Sequence, residues 1–248
     1  MRATHSPRGM CVNKRVMYER KISSTVFLQV LRRYFTLQRI SEETNIPISL
    51  VSRYATGKVL PSDKHLHNIE QLYKKKSLIH HVLRDYLDTS IRGVSAYRLN
   101  TDPEAIVFVS LLLIKHLEEE GIQPDYIDYV MVPESGGIPL GVFFSYQTCS
   151  RLIIAKRRRN ILWQKYVAGL GGSHDSLREY YIPLSEEYRG AKVMILDDIT
   201  IDGGTIESLY DIAEKAGMKI CCSYVVYALG ARWRERVPEI RPLLTLNM

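Results

Sequence analysis

The sequence predicts an α/β chain in two parts, a small all-α helix-turn-helix domain followed by a domain with a mostly parallel sheet. The first observation is a series of helix-period runs between residues 24 and 73. The second is an alternation of strands, glycine turns and helices after residue 104, which is typical of a parallel sheet. The third is charge. Residues 1–89 hold 16 Lys and Arg against 7 Asp and Glu, a net +9, and the remainder holds 18 against 20, a net −2. The first part therefore suits a polyanion, although a merely solvated basic surface explains the charge equally well.

The first part contains three short helical patterns. Residues 25–35 place their apolar side chains on one helical face. Residues 37–44 and 48–55 predict two further helices. Between them, Asn45 tolerates the left-handed conformation of a tight turn, and Pro47 suits the first turn of a helix. Two helices joined by such a turn have the geometry that lays the second helix into the major groove of DNA.

The stretch LQRISEETNIPISLVSRYATGKVLPS resembles the helix-turn-helix of the lambda-repressor-like family. In this register the inward residues are Ile40, Ile46, Val51 and Tyr54. The residues predicted to meet DNA are Ile48, Ser49, Arg53 and Lys58. Arg53 can bond bidentately to guanine, Ser49 suits a base or a phosphate, and Lys58 suits a phosphate. Ile48 departs from the polar residue usual in that family and can meet a thymine methyl group. A plain helical hairpin used for dimer contacts is the alternative.

The second part alternates strands with helices. The predicted strands cover residues 126–132, 151–155, 193–196 and 219–228. A turn from Glu134 to Gly137 opens a helix at Ile138, and backbone N–H groups at such a turn face an anion. We expect the ligand site at the carboxyl ends of the strands.

Residues 193–205, VMILDDITIDGGT, are the most specific element. Four apolar residues predict a buried strand, and the pair Asp197-Asp198 emerges at its carboxyl end, where it can hold ribose hydroxyls or Mg²⁺. The pair Gly203-Gly204 lets the backbone wrap a phosphate closely, and Thr205 adds a hydroxyl at the start of a helix. A chance occurrence in an ordinary βαβ sheet is the alternative.

This pattern resembles the phosphoribosyl-diphosphate motif of the type I phosphoribosyltransferases, with similarity from about residue 104 to residue 248. The resemblance implies that the acidic pair holds the ribose, with Mg²⁺ bound through the ligand. It implies a diphosphate loop at 134–137, a basic stretch beginning at Lys156 and a mobile flap over 161–181. The implied ligand-binding residues are Ser135, Gly136, Gly137, Lys156, Asp197, Asp198, Asp202, Gly203, Gly204 and Thr205.

Two residues depart from that family pattern. Asp202 stands where a small hydroxyl residue is usual, and a carboxylate beside a phosphate weakens binding unless it is neutralised or turned away. Ile201 stands where the hypoxanthine-guanine branch carries an acid that serves the purine ring, which disfavours that branch.

These patterns predict four segments. They are a flexible basic tail at 1–23, a helix-turn-helix DNA-binding domain at 24–90, a linker at 91–103 and a phosphoribosyltransferase-like ligand-binding domain at 104–248. The longest apolar run, Ala105 to Ile114, is too short to span a membrane, and the basic first residues lack the apolar stretch of a secretory signal. We expect a cytoplasmic protein that does not associate with membranes.

The combination resembles the purine repressors of Gram-positive bacteria and the archaeal sugar-catabolism regulators that carry an orotate-transferase-like domain. This resemblance implies a homodimeric transcription regulator that binds double-stranded DNA and senses phosphoribosyl diphosphate or a nucleotide. The alternative is an active phosphoribosyltransferase of purine or pyrimidine metabolism, for which the flap offers Lys165, His174 and Arg178. A dimerisation scaffold is a third interpretation. The helix-turn-helix favours the regulator, and enzyme activity is left open.

Overall fold

The computed structural model describes residues 11–90, 93–134, 136–172 and 177–247. The chain divides into two compact units, Met1–Val82 and Leu83–Met248, and each is described by itself. Within these ranges, no helix is both long and apolar enough to cross a membrane.

The first unit is helical. Its helices are α1 (Cys11–Leu31), α2 (Leu37–Thr44), α3 (Ile48–Ala55), α4 (Asp63–Gln71) and α5 (Lys76–Asp85), which runs across the boundary into the second unit. Helices α2 and α3 have the bounds that the sequence predicts. The four residues predicted to point inward, Ile40, Ile46, Val51 and Tyr54, are all buried.

The turn between α2 and α3 follows from its sequence. Thr36 caps α2 by accepting a hydrogen bond from the Arg39 N–H at 3.2 Å. Asn45 ends the helix in the left-handed conformation, with a φ of 52°. Pro47 lies at the N-cap of α3 rather than inside its first turn. The two helices are thus joined by the short turn that a helix-turn-helix requires.

Helix α1 begins at Cys11, inside the segment predicted to be a flexible tail over residues 1–23. Phe27 and Val30 near its end are fully buried and anchor it. Farther back, Arg20 pairs with Glu70 at 2.7 Å, and Lys21 pairs with Asp63 at 2.6 Å. These ion pairs join α1 to α4, which is distant in sequence. They stabilise the helix in a segment whose local composition predicts no helix. Residues 1–10 lie outside the described residues.

The second unit is built on a five-stranded parallel sheet, as predicted. Its strands are β3 (Tyr129–Pro133), β4 (Arg151–Ala155), β7 (Lys192–Thr200), β8 (Lys219–Leu229) and β9 (Arg241–Leu246), in the order β4-β3-β7-β8-β9. Strand β7 lies at the centre. Its pairing with β3 stops at Ile195, whereas its pairing with β8 continues to Thr200. The strand order reverses between β3 and β7, which is where open parallel sheets bind ligands.

Two antiparallel hairpins accompany the sheet. The first joins β1 (Asp88–Ser90) and β2 (Gly93–Ser95), and the second joins β5 (Tyr166–Gly171) and β6 (Arg178–Pro183). The second hairpin overlaps the segment predicted to be a mobile flap over 161–181 and continues two residues past it, and residues 173–176 lie outside the described residues.

Helices complete the second unit. They are α6 (Tyr97–Thr101), α7 (Pro103–Glu119), α8 (Ile138–Thr148), α9 (Gly204–Lys215) and α10 (Trp233–Arg236). The core between α9 and the sheet includes the fully buried Ile195, Leu209, Ile212 and Val225. Strand β2 and α6 fall where the sequence predicts a linker at 91–103, so this stretch is folded because Ala96 and Leu99 are buried in the second unit.

Candidate functional site

The acidic pair lies near the carboxyl end of the central strand. Asp197 and Asp198 belong to β7, which continues past them to Thr200, and their exposed fractions are 5% and 7%. The Asp198 N–H donates to Asp197 Oδ1 at 2.9 Å. Burial, and then the neighbouring carboxylate of Asp198, hold the pKa of Asp197 well above its usual value.

A neutral amide fixes the position of Asp198. The side chain of Asn100, on α6, donates from Nδ2 to Asp198 Oδ2 at 2.5 Å. Asn100 Oδ1 is buried and has no hydrogen-bond partner among the described residues. Asn100 has no signal in the sequence, because it falls in the predicted linker, 98 positions from its partner.

The turn after β3 approaches the same pair. A Cβ atom at Gly136 would overlap the Asp198 carboxylate, and one at Gly137 would meet Asp197 Oδ1 at 3.3 Å. The absence of a side chain at Gly136 therefore lets the turn approach Asp198, and a side chain at Gly137 would need a small shift of its neighbours. Gly137 also occupies the N-cap of α8, so unpaired N–H groups of that helix begin here. Ser135 lies outside the described residues.

The glycine turn after β7 forms the start of α9. Gly203 has a φ of 79°, which favours glycine, and a Cβ atom there would overlap Val237. Gly204 is the first residue of the helix and Thr205 follows it. The turn thus presents the N-terminus of a twelve-residue helix at the carboxyl edge of the sheet.

Asp202 is not an isolated acid in this turn. Its Oδ1 accepts hydrogen bonds from Arg178 Nη1 at 2.5 Å and from the Gly204 N–H at 3.1 Å. Burial raises the pKa of Asp202, but Arg178 and the Gly204 N–H outweigh it, so the pKa lies below its usual value. The carboxylate that sequence analysis identified as a departure is therefore neutralised by an arginine from β6.

The basic stretch after β4 brings Arg157, the residue after the predicted Lys156, to the cavity. Lys156 joins Tyr181 by two backbone hydrogen bonds of 2.8 and 2.9 Å, and it is Arg157 that lines the cavity. The Arg157 N–H donates to Glu134 at 3.1 Å, and its Nε donates to the Tyr180 hydroxyl at 3.3 Å. The sequence marks the basic run, but which of its members faces inward depends on this bridge to β6.

These elements surround a cavity of about 560 Å³. It is lined by Pro133, Glu134, Gly136, Arg157, Arg178, Tyr180, Asp197, Asp198, Ile199, Thr200, Ile201, Asp202 and Thr205. The implied binding residues brought together as its lining are Gly136, Asp197, Asp198, Asp202 and Thr205. Gly137, Gly203 and Gly204 lie directly beside it in the two turns. The cavity has an acidic centre, a helix N-terminus at one side and Arg157 and Arg178 as cations.

Over the described ranges, no group of three or more His, Cys, Asp or Glu side chains is arranged to hold a metal ion. The pair Asp197-Asp198 offers oxygen donors of the kind that Mg²⁺ prefers, and a ligand would have to complete the shell.

The first unit carries the residues predicted to meet DNA on an exposed face. Ile48 is 47% exposed, and Ser49, Arg53 and Lys58 are also exposed. Ser49 and Arg53 lie on α3 and Lys58 lies just beyond it, on the side away from Val51. This face is geometrically free to contact a partner.

A parallel sheet whose carboxyl edge carries an acidic pair and the glycine turn of a helix N-terminus defines an α/β domain with the geometry of an anion-binding edge. Residues 102–241, more than half of the chain, match the phosphoribosyl transferase domain family. The chain belongs to that family. The match begins after the helical first unit.

Curated relatives and solved structures agree with this assignment. The chain is 27% identical to an orotate phosphoribosyltransferase of Pyrococcus furiosus over 129 residues, which are 52% of this chain and 61% of that protein. The match thus spans less than two thirds of the orotate enzyme. This chain is also 26% identical to an adenine phosphoribosyltransferase of Rippkaea orientalis over 171 residues, which are 66% of this chain and 95% of that protein. The adenine phosphoribosyltransferase structure from Rhodothermus marinus superposes with a TM-score of 0.56 at 19% identity, over 67% of this chain and 97% of that one, and shares its fold.

Proposed function

We propose that the second unit is a phosphoribosyltransferase that binds 5-phosphoribosyl diphosphate in the cavity at the end of β7 and transfers its phosphoribosyl group to a nitrogenous base. The observation that carries this proposal is the buried pair Asp197-Asp198, held between Asn100 and the glycine turn at Gly136. Relatives named as orotate and adenine phosphoribosyltransferases support transferase activity. The sequence alone favours a sensor that binds the ligand without turnover.

The acidic pair is suited to the ribose. Adjacent hydroxyls can donate to the carboxylate oxygens, and such charge-assisted hydrogen bonds are about twice as strong as neutral ones. Asn100 donates to one oxygen of Asp198 and thereby orients this carboxylate.

The diphosphate is assigned to the turn at Gly136. This turn contributes backbone N–H groups at the start of α8, and Arg157 contributes a cation to the same cavity. Asp197 and Asp198 are the residues that would hold Mg²⁺ together with the ligand. Bound Mg²⁺ supplies positive charge that stabilises the leaving diphosphate.

The transfer is a substitution at the ribosyl carbon. A base nitrogen forms a bond to this carbon as the bond to the diphosphate oxygen breaks. The bonding electron pair leaves with the diphosphate, and the proton of the base nitrogen passes to water. The chain contributes orientation of the ribose through the acidic pair and charge stabilisation through Arg157.

Titration calorimetry and a turnover assay test this proposal together. We expect the full chain to bind 5-phosphoribosyl diphosphate in the presence of Mg²⁺. We also expect diphosphate release that depends on an added base, with adenine, orotate, hypoxanthine and guanine assayed in parallel. Binding without release for any base would make the domain a sensor. Absence of binding would contradict the proposal.

We propose DNA binding through α3 as a second function, because the turn at Asn45 and the exposed residues Ser49 and Arg53 favour it. A basic segment with this geometry suits the major groove. The chain would then be a regulator whose DNA affinity and ligand affinity are linked reciprocally, and a homodimer would match a palindromic site.

The Arg53→Ala variant tests the DNA face. We expect it to weaken binding of a selected DNA site by about 1–3 kcal/mol in a gel-shift titration, because a bidentate contact to guanine is lost. Arg32→Ala removes an exposed cation from the residue that follows α1 and serves as the control. Equal affinity of Arg53→Ala and the original chain would remove α3 from the interface.

A further inference from the structure

The glycine turn at the start of α9 already holds an anion of the protein's own. Asp202 Oδ1 accepts from the Gly204 N–H, one of the first unpaired N–H groups of the helix, at 3.1 Å. A phosphate bound at this helix N-terminus would use the same kind of donor. The carboxylate and a 5-phosphate therefore seek the same position.

Arg178 is bound to this carboxylate and also lines the cavity. Its Nη1 donates to Asp202 Oδ1 at 2.5 Å, and the two side chains are only 30% and 26% exposed. A Cβ atom at Gly204 would overlap the Arg178 guanidinium, so the arginine lies directly over the backbone of the turn. One guanidinium thus faces both the carboxylate and the space for a phosphate.

The position of Arg178 is fixed by the hairpin that carries it. Glycines of β5 allow its backbone to pack on α9, since a Cβ atom at Gly169 or Gly171 would overlap the helix backbone. The Gly172 N–H donates to Glu207 at 2.7 Å, and the Ser208 hydroxyl donates to the Gly169 carbonyl at 2.9 Å. The base of the hairpin is therefore bound to the helix whose N-terminus the ion pair covers.

We infer that Asp202 determines specificity at the 5-phosphate end of the cavity, by competing with that phosphate for the Gly204 N–H and for Arg178. The inference rests on the proposed function of the cavity. A ligand with a 5-phosphate must displace the carboxylate and share the arginine with it. The chain consequently binds such ligands more weakly than it would with a small hydroxyl residue at this position.

Calorimetry on the full chain and on Asp202→Ser tests this inference. The probes are 5-phosphoribosyl diphosphate with Mg²⁺, ribose 5-phosphate, and inorganic diphosphate with Mg²⁺. We expect Asp202→Ser to bind the two 5-phosphate ligands at least about tenfold more tightly. Without the carboxylate, Arg178 and the Gly204 N–H are both available to donate to the phosphate. Affinity for inorganic diphosphate, which contacts the other end of the cavity, should stay within about twofold.

Two further variants control for folding and for charge. Asp202→Asn keeps the side-chain size and should also tighten binding of ribose 5-phosphate. Glu214→Gln removes the same charge from an exposed position on α9 and should leave every affinity unchanged.

Each outcome is decisive. Tighter binding by both Asp202 variants supports the inference, and binding by the variants alone supports it while removing the phosphoribosyl compound as the natural ligand. Unchanged or weaker binding by variants of a chain that itself binds overturns the inference and leaves the proposed function intact. If folded chains of every kind fail to bind, the proposed function falls and the inference with it.

Discussion

One thirteen-residue segment contains two acidic sites, and the groups that donate hydrogen bonds to their carboxylates differ. At the end of β7, Asp197 and Asp198 are buried against each other, and a neutral amide from Asn100 is the donor at 2.5 Å. At the start of α9, Asp202 is bound to the cation of Arg178 at 2.5 Å. The pKa of Asp197 is raised by burial, whereas the pKa of Asp202 is lowered by its partners.

The difference teaches which acid is built for a ligand. A buried pair without a bound cation stores unfavourable free energy that a ligand with hydroxyl donors or Mg²⁺ can relieve. A carboxylate that is already paired with an arginine gains less free energy from the donors of a ligand. We therefore place the ribose at Asp197-Asp198 and treat Asp202 as a competitor.

Removing both charges of the buried pair should have the largest effect. We expect Asp197→Asn combined with Asp198→Asn to weaken binding of 5-phosphoribosyl diphosphate by about 100-fold or more, because two charge-assisted hydrogen bonds are lost. Calorimetry measures this, and circular dichroism checks the fold. Asp125→Asn, an exposed acid outside the cavity, is the control. Equal affinity of the double variant and the original chain would contradict the assignment of the ribose to this acidic pair.

Removal of Asn100 should have a smaller effect. We expect Asn100→Ala to weaken binding of the same ligand about fivefold, because one hydrogen bond worth roughly 1 kcal/mol no longer orients Asp198. Thr101→Ala, on the same helix and exposed, should bind like the original chain. A loss of thermal stability without a change in affinity would assign Asn100 a purely structural role.

Stability should respond to Asp197 in the opposite direction from binding. The folded-state pKa of the Asp197 carboxyl group lies above the unfolded value of about 3.9. Between these two pKa values the folded chain holds a proton that the unfolded chain releases. Stability therefore falls as pH rises from the unfolded pKa to the folded pKa. We expect Asp197→Asn to raise the Tm by about 2–4 °C at pH 8 and less at pH 4. Thermal melts at both pH values measure this, and a lower Tm at pH 8 would contradict the raised pKa.

The Asp202 ion pair should affect stability least. Both side chains are partly exposed, so we expect Asp202→Asn to cost about 0.5 kcal/mol. Because the folded pKa is lowered, this contribution is present above about pH 3.9 and is lost as pH falls through the lowered value. Denaturant titrations at pH 7 and pH 3 check the difference between the two chains. A difference that grows on acidification would contradict the pairing.

Local pattern was enough to predict much of the fold. Helices α2 and α3 and strand β4 have the predicted bounds, because apolar periodicity and turn residues such as Asn45 act over a few positions. The parallel sheet followed from alternating strands and glycine turns. Strand β9 was not predicted, and α1 reaches into the predicted tail through ion pairs with α4.

The site was predictable where it is continuous in sequence. Residues 197–205 lie together on one strand and one turn, and the structure keeps them at one edge of the sheet. Asn100 and Arg178 reach the site from other elements, 98 and 24 positions from their partners, and no local pattern encodes such contacts. The backbone bridge between Lys156 and Tyr181, which joins the basic stretch to β6, likewise has no local signal in the sequence.

A crystal structure of the full chain with Mg²⁺ and 5-phosphoribosyl diphosphate tests the central claim most directly. We predict the ribose hydroxyls within hydrogen-bond distance of the Asp197 and Asp198 carboxylates, the diphosphate at Gly136 and Arg157, and the 5-phosphate at the turn that ends in Thr205. A ligand bound elsewhere on the chain, or with its ribose turned away from the acidic pair, would contradict this account.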